Sequence, residues 1–293
     1  VLTMLGIIIG IAAVMTIVSA MNGYTQKTME QYAALGSNKL TVSVYSWLTD
    51  QDGNMISKDY FPDLYEYCNT IQQYVAGVTP KGSFNATVVY GTKNSANMQP
   101  DYDDKGTPLG DTPPSLYLGS DQYSICNNLT ISKGRDLTAL DSQRYNQVCV
   151  LGAVAAKTFF GSANPVGKTM QVNGQSFDVV GVYHVRLKDA TAANSYMDNF
   201  IVFPYTANRI LGSEVSSEFI VKARNAESLI EASSRIGGYL KGVVDTNNGG
   251  FNVYTEDQWQ QAQNEQMGLI AKVLGGIAAI SLVVGGIGIM NIM

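Results

Sequence analysis

Two stretches without a charged side chain, residues 1–26 and 273–293, set the first limit on how this chain can fold. VLTMLGIIIGIAAVMTIVSAM (1–21) and VLGGIAAISLVVGGIGIMNIM (273–293) each supply about 20 predominantly apolar residues, enough for a helix to cross ~30 Å of hydrocarbon. Both read as membrane spans. Two other readings stand: a pair of buried helices and, for the first segment, a secretory signal peptide ending near Val18–Ala20. A signal peptide would carry a basic leading region and a shorter apolar core, and no second span would follow it. Gly6 and Gly10, Gly275 and Ala279, and Ser281 and Gly285 recur four apart, the spacing at which helix backbones approach closely in lipid. Because the chain starts at Val1 and stops inside an apolar run, it is expected to be a segment of a longer protein.

The spans are expected to continue into water as stalks. NGYTQKTMEQYAAL (22–35) keeps a helical composition up to Gly36, and TEDQ (255–258) has the form of a capping box, with Thr255 and Gln258 as its reciprocal partners. Between the stalks two stretches share a strand–helix–strand order. They are LTVSV (40–44), FPDLYEYCNTIQQYV (61–75) and SFNATVVY (83–90), then SEFIVKA (217–223), AESLIEASSRIGGYLKGVV (226–244) and GFNVY (250–254). The fold class is therefore α+β, a split-βαβ, ferredoxin-like domain interrupted by a β-rich module at 91–215. Within that module, 91–114 reads as a turn-rich mobile loop, and Asn173–Gly174 marks a tight hairpin because both central residues of such a turn need positive φ.

The composition excludes several chemistries. A net charge of −5 leaves no basic footprint for nucleic acid. The one histidine, His184, is read as a partly buried sheet residue and cannot by itself assemble a triad or a metal cluster. Cys68, Cys126 and Cys149 lack metal-site spacing; a Cys126–Cys149 bridge is one reading in an oxidising compartment, and buried thiols are the default. PDYDDKG (100–106) lacks the glycine and glutamate of a calcium loop. GSANPVGKT (161–169) resembles a phosphate loop, yet it has five residues between Gly161 and Gly167 where four are required, and it follows a helix and precedes a hairpin. No catalytic, cofactor-binding or metal residue is assigned, and the chain is not expected to be an enzyme.

LTMLGIIIGIAAV at the start, ISKGRDLT (131–138), FFGSANPVGKTMQVNGQSFDVVGV (159–182) and AAISLVVGGIGIMNIM (278–293) together resemble MacB-type ABC transporter permeases. The resemblance is weakest over 45–115. It implies a porter-type domain with an inserted sabre-like module, carried between the first two of four membrane helices. The corresponding division is 1–37 first span and stalk, 38–90 porter-like half, 91–215 sabre-like module, 216–254 second half, and 255–293 stalk and truncated second span. It further implies a homodimer in the bacterial inner membrane, with residues about 25–270 outside the cytoplasm. ATP and Mg would be bound by a cytoplasmic ATPase domain or subunit. In a double-membrane cell a membrane-fusion-type adaptor and an outer-membrane channel would join it. Export of a peptide, lipid or drug-like molecule by mechanical transmission is the expected role, with control of an extracellular cell-wall hydrolase as the alternative.

Overall fold

The computed structural model describes residues 38–47, 58–102, 108–186, 197–245 and 247–255, together with 12, 15, 16, 19, 23, 268–270, 272, 273 and 275–277 near the two ends. The chain divides into two units, Val1–Ala33 with Glu256–Met293, and Ala34–Thr255.

The second unit opens with β1 (Lys39–Ser46), α1 (Phe61–Thr70) and β2 (Val75–Pro80). In β1 the residues Leu40, Val42 and Val44 are buried at every second position, the period of a strand with a core on that face. Pro62 in the first turn suits α1, since its missing N–H would have no helical partner there. Here the structure differs from the sequence reading. The helix stops at Thr70, and VAGVTP, expected partly as helix, is the strand that joins the smaller sheet. The strand expected at 83–90 is instead β3 (Gly82–Phe84) and β4 (Val88–Tyr90), both in the larger sheet. Pro80 closes β2 at the edge of the sheet, where proline is tolerated, and the next N–H, that of Lys81, still donates to the Glu218 carbonyl of β14 at 2.7 Å.

The chain then builds β5 (Lys93–Asn94), β6 (Asp101–Tyr102), β7 (Pro108–Leu109), β8 (Ser115–Gly119), α2 (Tyr123–Cys126), β9 (Ile131–Gly134), α3 (Ala139–Gln143), β10 (Val148–Leu151), α4 (Ala153–Phe160), β11 (Thr169–Val172), β12 (Gln175–Tyr183), β13 (Phe200–Pro204) and α5 (Asn208–Leu211). Residues 93–109, expected as irregular loop, thus carry short strands, and the Ser95 hydroxyl accepts from the Val88 N–H at 2.8 Å to anchor them. The β11–β12 hairpin turns at Asn173 and Gly174 with φ of 49° and 79°. Strand order in the larger sheet is β3-β8-β13-β10-β12-β11-β4-β5, with β9 also on β12. Six spacings on a flat sheet would put β3 and β4 about 29 Å apart. The link 85–87 allows only ~14 Å between residues 84 and 88. The sheet is therefore rolled. Phe177, Phe203, Met170 and Leu151 fill its inside together with Phe159 and Phe160 of α4.

The chain returns to the smaller sheet as β14 (Glu218–Ala223), α6 (Ala226–Val243) and β15 (Gly249–Thr255). The Asn225 side chain accepts from the Ser228 N–H at 2.8 Å and caps α6. Strand order is β15-β1-β14-β2 with every neighbouring pair antiparallel. One core packs Leu40, Val42, Val78, Phe219 and Val221 against Phe61 and Leu64 of α1 and Leu229, Ile236 and Leu240 of α6.

Candidate functional site: paired end strands and the seam between the sheets

β1 and β15 are neighbours from Leu40 opposite Thr255 to Ser46 opposite Gly249. The strand that follows the first terminal segment thus lies beside the strand that precedes the second. Asn38, at φ 61°, turns the chain into β1, and its carbonyl accepts from the Ala223 N–H at 2.8 Å. Asparagine tolerates this left-handed conformation better than most residues. At the far end the Trp47 N–H donates to the Asn248 carbonyl at 2.9 Å. Tyr45 lies across Gly250, where a Cβ would collide with its ring, and sits 5.4 Å from Trp47. The first bond ties the start of β1 to β14, and the second ties its end to the residue before β15.

Every described residue of the two terminal segments is helical. Met15 (64% exposed), Leu269 (65%), Val273 and Ile277 leave apolar surface uncovered, and the Thr16 hydroxyl donates to the Ala12 carbonyl at 2.7 Å. Among the described residues no helix is long and apolar enough to cross a membrane. Gly6, Gly10, Ala279, Ser281, Gly285, Gln258 and, apart from the helical Gly23, the stalk at 22–35 lie outside the described residues. Gly275 is helical, and a Cβ there would meet nothing. Thr255 closes β15.

The second feature is a seam of buried polar groups between the sheets. Thr79 and Ser120 are almost fully buried, Tyr65 donates to Asp121 at 3.0 Å, and Phe61 of α1 packs edge-on against Tyr205 at 4.7 Å. Burial, then the neighbouring Asp121 carboxylate, pushes the Tyr65 hydroxyl up to about 12. These contacts escaped the sequence reading. Ser120, Asp121 and Gln122 follow β8 as an ordinary polar turn, and only the strand order brings them against β2.

The remaining candidates are structural. Lys168 is exposed, its N–H donates to the Pro165 carbonyl at 3.0 Å, and the Thr169 hydroxyl donates to Asp178 at 2.7 Å. α4 precedes this turn and β11 follows it, the reverse of a phosphate loop. The Cys126–Cys149 bridge is not formed. All three cysteines are free and buried, Cys126 against Gly77 and the Ile220 carbonyl, Cys149 in the core of the larger sheet. Burial pushes the Cys68 and Cys126 thiols up to about 12, which keeps them in the thiol form at neutral pH. His184 is exposed just past β12 rather than partly buried, with its N–H donating to the Thr130 carbonyl at 2.8 Å. Among the described residues no cluster of His, Cys, Asp and Glu could hold a metal ion.

One ionised group is tightly held. Asp141 accepts from Arg135 at 2.6 Å, from the Thr138 N–H and hydroxyl, and from Asn146. Burial alone would raise its carboxyl, but these donors outweigh it and hold the group well below the usual carboxylate range. The arrangement closes the first turn of α3 as a capping box.

A family model, the MacB-like periplasmic core domain, matches residues 1–239. Over its whole length the chain is 31% identical to the macrolide export ATP-binding/permease protein MacB of Aggregatibacter actinomycetemcomitans. It is 30% identical to the pyoverdine export ATP-binding/permease protein PvdT of Pseudomonas aeruginosa. The chain spans 42% and 41% of those relatives. The crystal structure of the periplasmic region of MacB from Actinobacillus actinomycetemcomitans aligns with a TM-score of 0.56 at 24% identity, covering 81% of this chain and 98% of that one. The extracellular domain of the noncanonic ABC-type transporter YknZ from Gram-positive bacteria aligns at 0.50 and 16% identity, covering 73% and 100%. These two likenesses concern the fold.

Proposed function

The chain belongs to the MacB-like periplasmic core domain family, and on that premise we propose that it couples ATP hydrolysis in the cytoplasm to export of a peptide, lipid or drug-like molecule outside it. The ATP and Mg are bound by a fused or separate ATPase; the relatives' names, ATP-binding/permease protein, support the ATP part of this reading. The apolar ends cross the inner membrane, residues about 25–270 lie outside the cytoplasm, and two copies work together. An adaptor and an outer-membrane channel complete the path in a double-membrane cell. The four-stranded sheet with α1 and α6 is the split-βαβ porter element, and the rolled sheet is the sabre-like module. ISKGRDLT and NPVGKT shape that module and bind no nucleotide.

The observation that supports coupling is the adjacency of β1 and β15. A push on one terminal helix enters the sheet on a strand hydrogen-bonded to the strand that meets the other. Two helices that shift together therefore displace the sheet, whereas helices attached at distant points would shear it. Such a displacement can select between two states only if they differ in contacts, as any bistable element requires. The test is reconstitution of the full-length protein in proteoliposomes, with transport and ATP hydrolysis measured side by side. ATP-dependent transport supports the reading. Absence of transport, with a cell-wall hydrolase captured on residues 91–215, overturns it in favour of regulation of that partner.

A further inference from the structure

We propose that Ser120 and Gln122 form a latch that seals the outer edge of β2 and makes the two sheets one rigid body, a role that rests on the coupling function above. β2 ends the strand order of the smaller sheet, so one side of its backbone has no strand partner. An open edge of this kind exposes unpaired N–H and C=O groups. On β2 it is closed by side chains. The Val78 N–H donates to Gln122 Oε1 at 2.8 Å, and the Val78 carbonyl accepts from the Ser120 hydroxyl at 2.6 Å. An amide and a hydroxyl carried by the turn after β8 thus stand where a neighbouring strand would place a peptide group.

The latch is cross-braced. Ser120 N–H donates to Thr79 Oγ1 at 3.1 Å, Gln122 N–H donates to Ser120 Oγ at 3.1 Å, and Gln122 Nε2 donates to Asn69 of α1 at 3.3 Å. Gly77 leaves room for it, since a Cβ there would come within 3.2 Å of Gln122 Cβ. Ser120 is 1% and Thr79 0% exposed, so water cannot replace the lost partners when a bond breaks. Apolar packing resists separation but permits sliding. Directed bonds to one peptide group oppose both, and the same turn holds sheet, helix and rolled module together.

The test uses nitroxide labels on Ser234→Cys (α6) and Lys157→Cys (α4), both exposed, in the 1–293 chain in detergent, with pulsed dipolar spectroscopy reading the distance between the sheets. The native chain and Gln122→Glu, which keeps an acceptor for the Val78 N–H, are expected to give one narrow distribution. Gln122→Met, of similar volume, and Ser120→Ala/Gln122→Met are expected to broaden it, with Val78 amide exchange faster by about tenfold. An unchanged width, or an unchanged exchange rate, in both variants overturns the latch. In the full-length protein the double variant should hydrolyse ATP normally and export poorly; normal export with a broadened distribution overturns the coupling role. Because the dipolar measurement needs no transport, a failure of the export reading itself shows separately, as a native protein that moves nothing.

Discussion

Leu40 stands directly opposite Thr255 in the β1–β15 ladder, so the chain enters and leaves the smaller sheet side by side. The turn after β8 ties the rolled module to the same sheet through Ser120 and Gln122. Substitutions that touch neither feature should change stability without changing coupling, and several residues allow that separation to be measured.

Gly242 lies in α6, exposed, and a Cβ there would meet nothing. Glycine inside a helix costs about 0.5–1 kcal/mol relative to alanine. Gly242→Ala is expected to stabilise the domain by that amount and to raise the melting temperature by about 1–4 °C, with coupling unchanged. A calorimetric scan checks it.

Gly181 in β12 has the opposite character. A Cβ there would sit inside the contact radius of the Arg135 carbonyl, where the chain after β9 crosses the strand. Gly181→Ala is expected to destabilise by about 1–3 kcal/mol, read as a lower midpoint in urea, since backbone on both sides must move.

Asp141 makes stability depend on acid. Its folded carboxyl titrates below the unfolded value of about 3.9, so the stabilisation is complete above that pH and is lost as pH falls through the folded value. Urea midpoints measured from pH 6 downward should fall more steeply below pH 4 in the native chain than in Asp141→Asn, which carries no such charge. Equal slopes would mean that the Arg135 contact contributes nothing to the ionised form.

The thiols offer a chemical check. Cys68 and Cys126, buried and pushed up to about 12, should not react with a maleimide at pH 7 in the folded chain and should react fully in denaturant. Labelling of Cys126 without denaturant would show that the turn after β8 opens.

The sequence made the periodic elements legible and concealed their partners. Alternation in LTVSV and SEFIVKA marks β1 and β14, the spacing of Leu229, Ile236 and Leu240 marks α6, and Asn173–Gly174 marks its hairpin. Local chemistry decides each of these. VAGVTP was harder, because its alternation is interrupted by Gly77 and it follows a helix with only Ile71–Tyr74 between them. Pairing with β14 makes it a strand, and that pairing spans some 140 residues of chain. The seam was invisible for the same reason: Ser120 and Gln122 acquire their role from an edge strand that local sequence cannot place beside them.

The central claim is that movement passes from the membrane through the terminal segments into the paired strands. It is tested most directly by the ratio of molecules exported to ATP hydrolysed in the full-length protein, comparing Gln261→Pro with Gln261→Ala in the sequence-predicted second stalk. Proline removes a helical hydrogen bond and kinks a helix, whereas alanine does neither. The expected result is that Gln261→Ala keeps the native ratio while Gln261→Pro hydrolyses ATP and exports little. A native ratio in Gln261→Pro would contradict transmission along that segment.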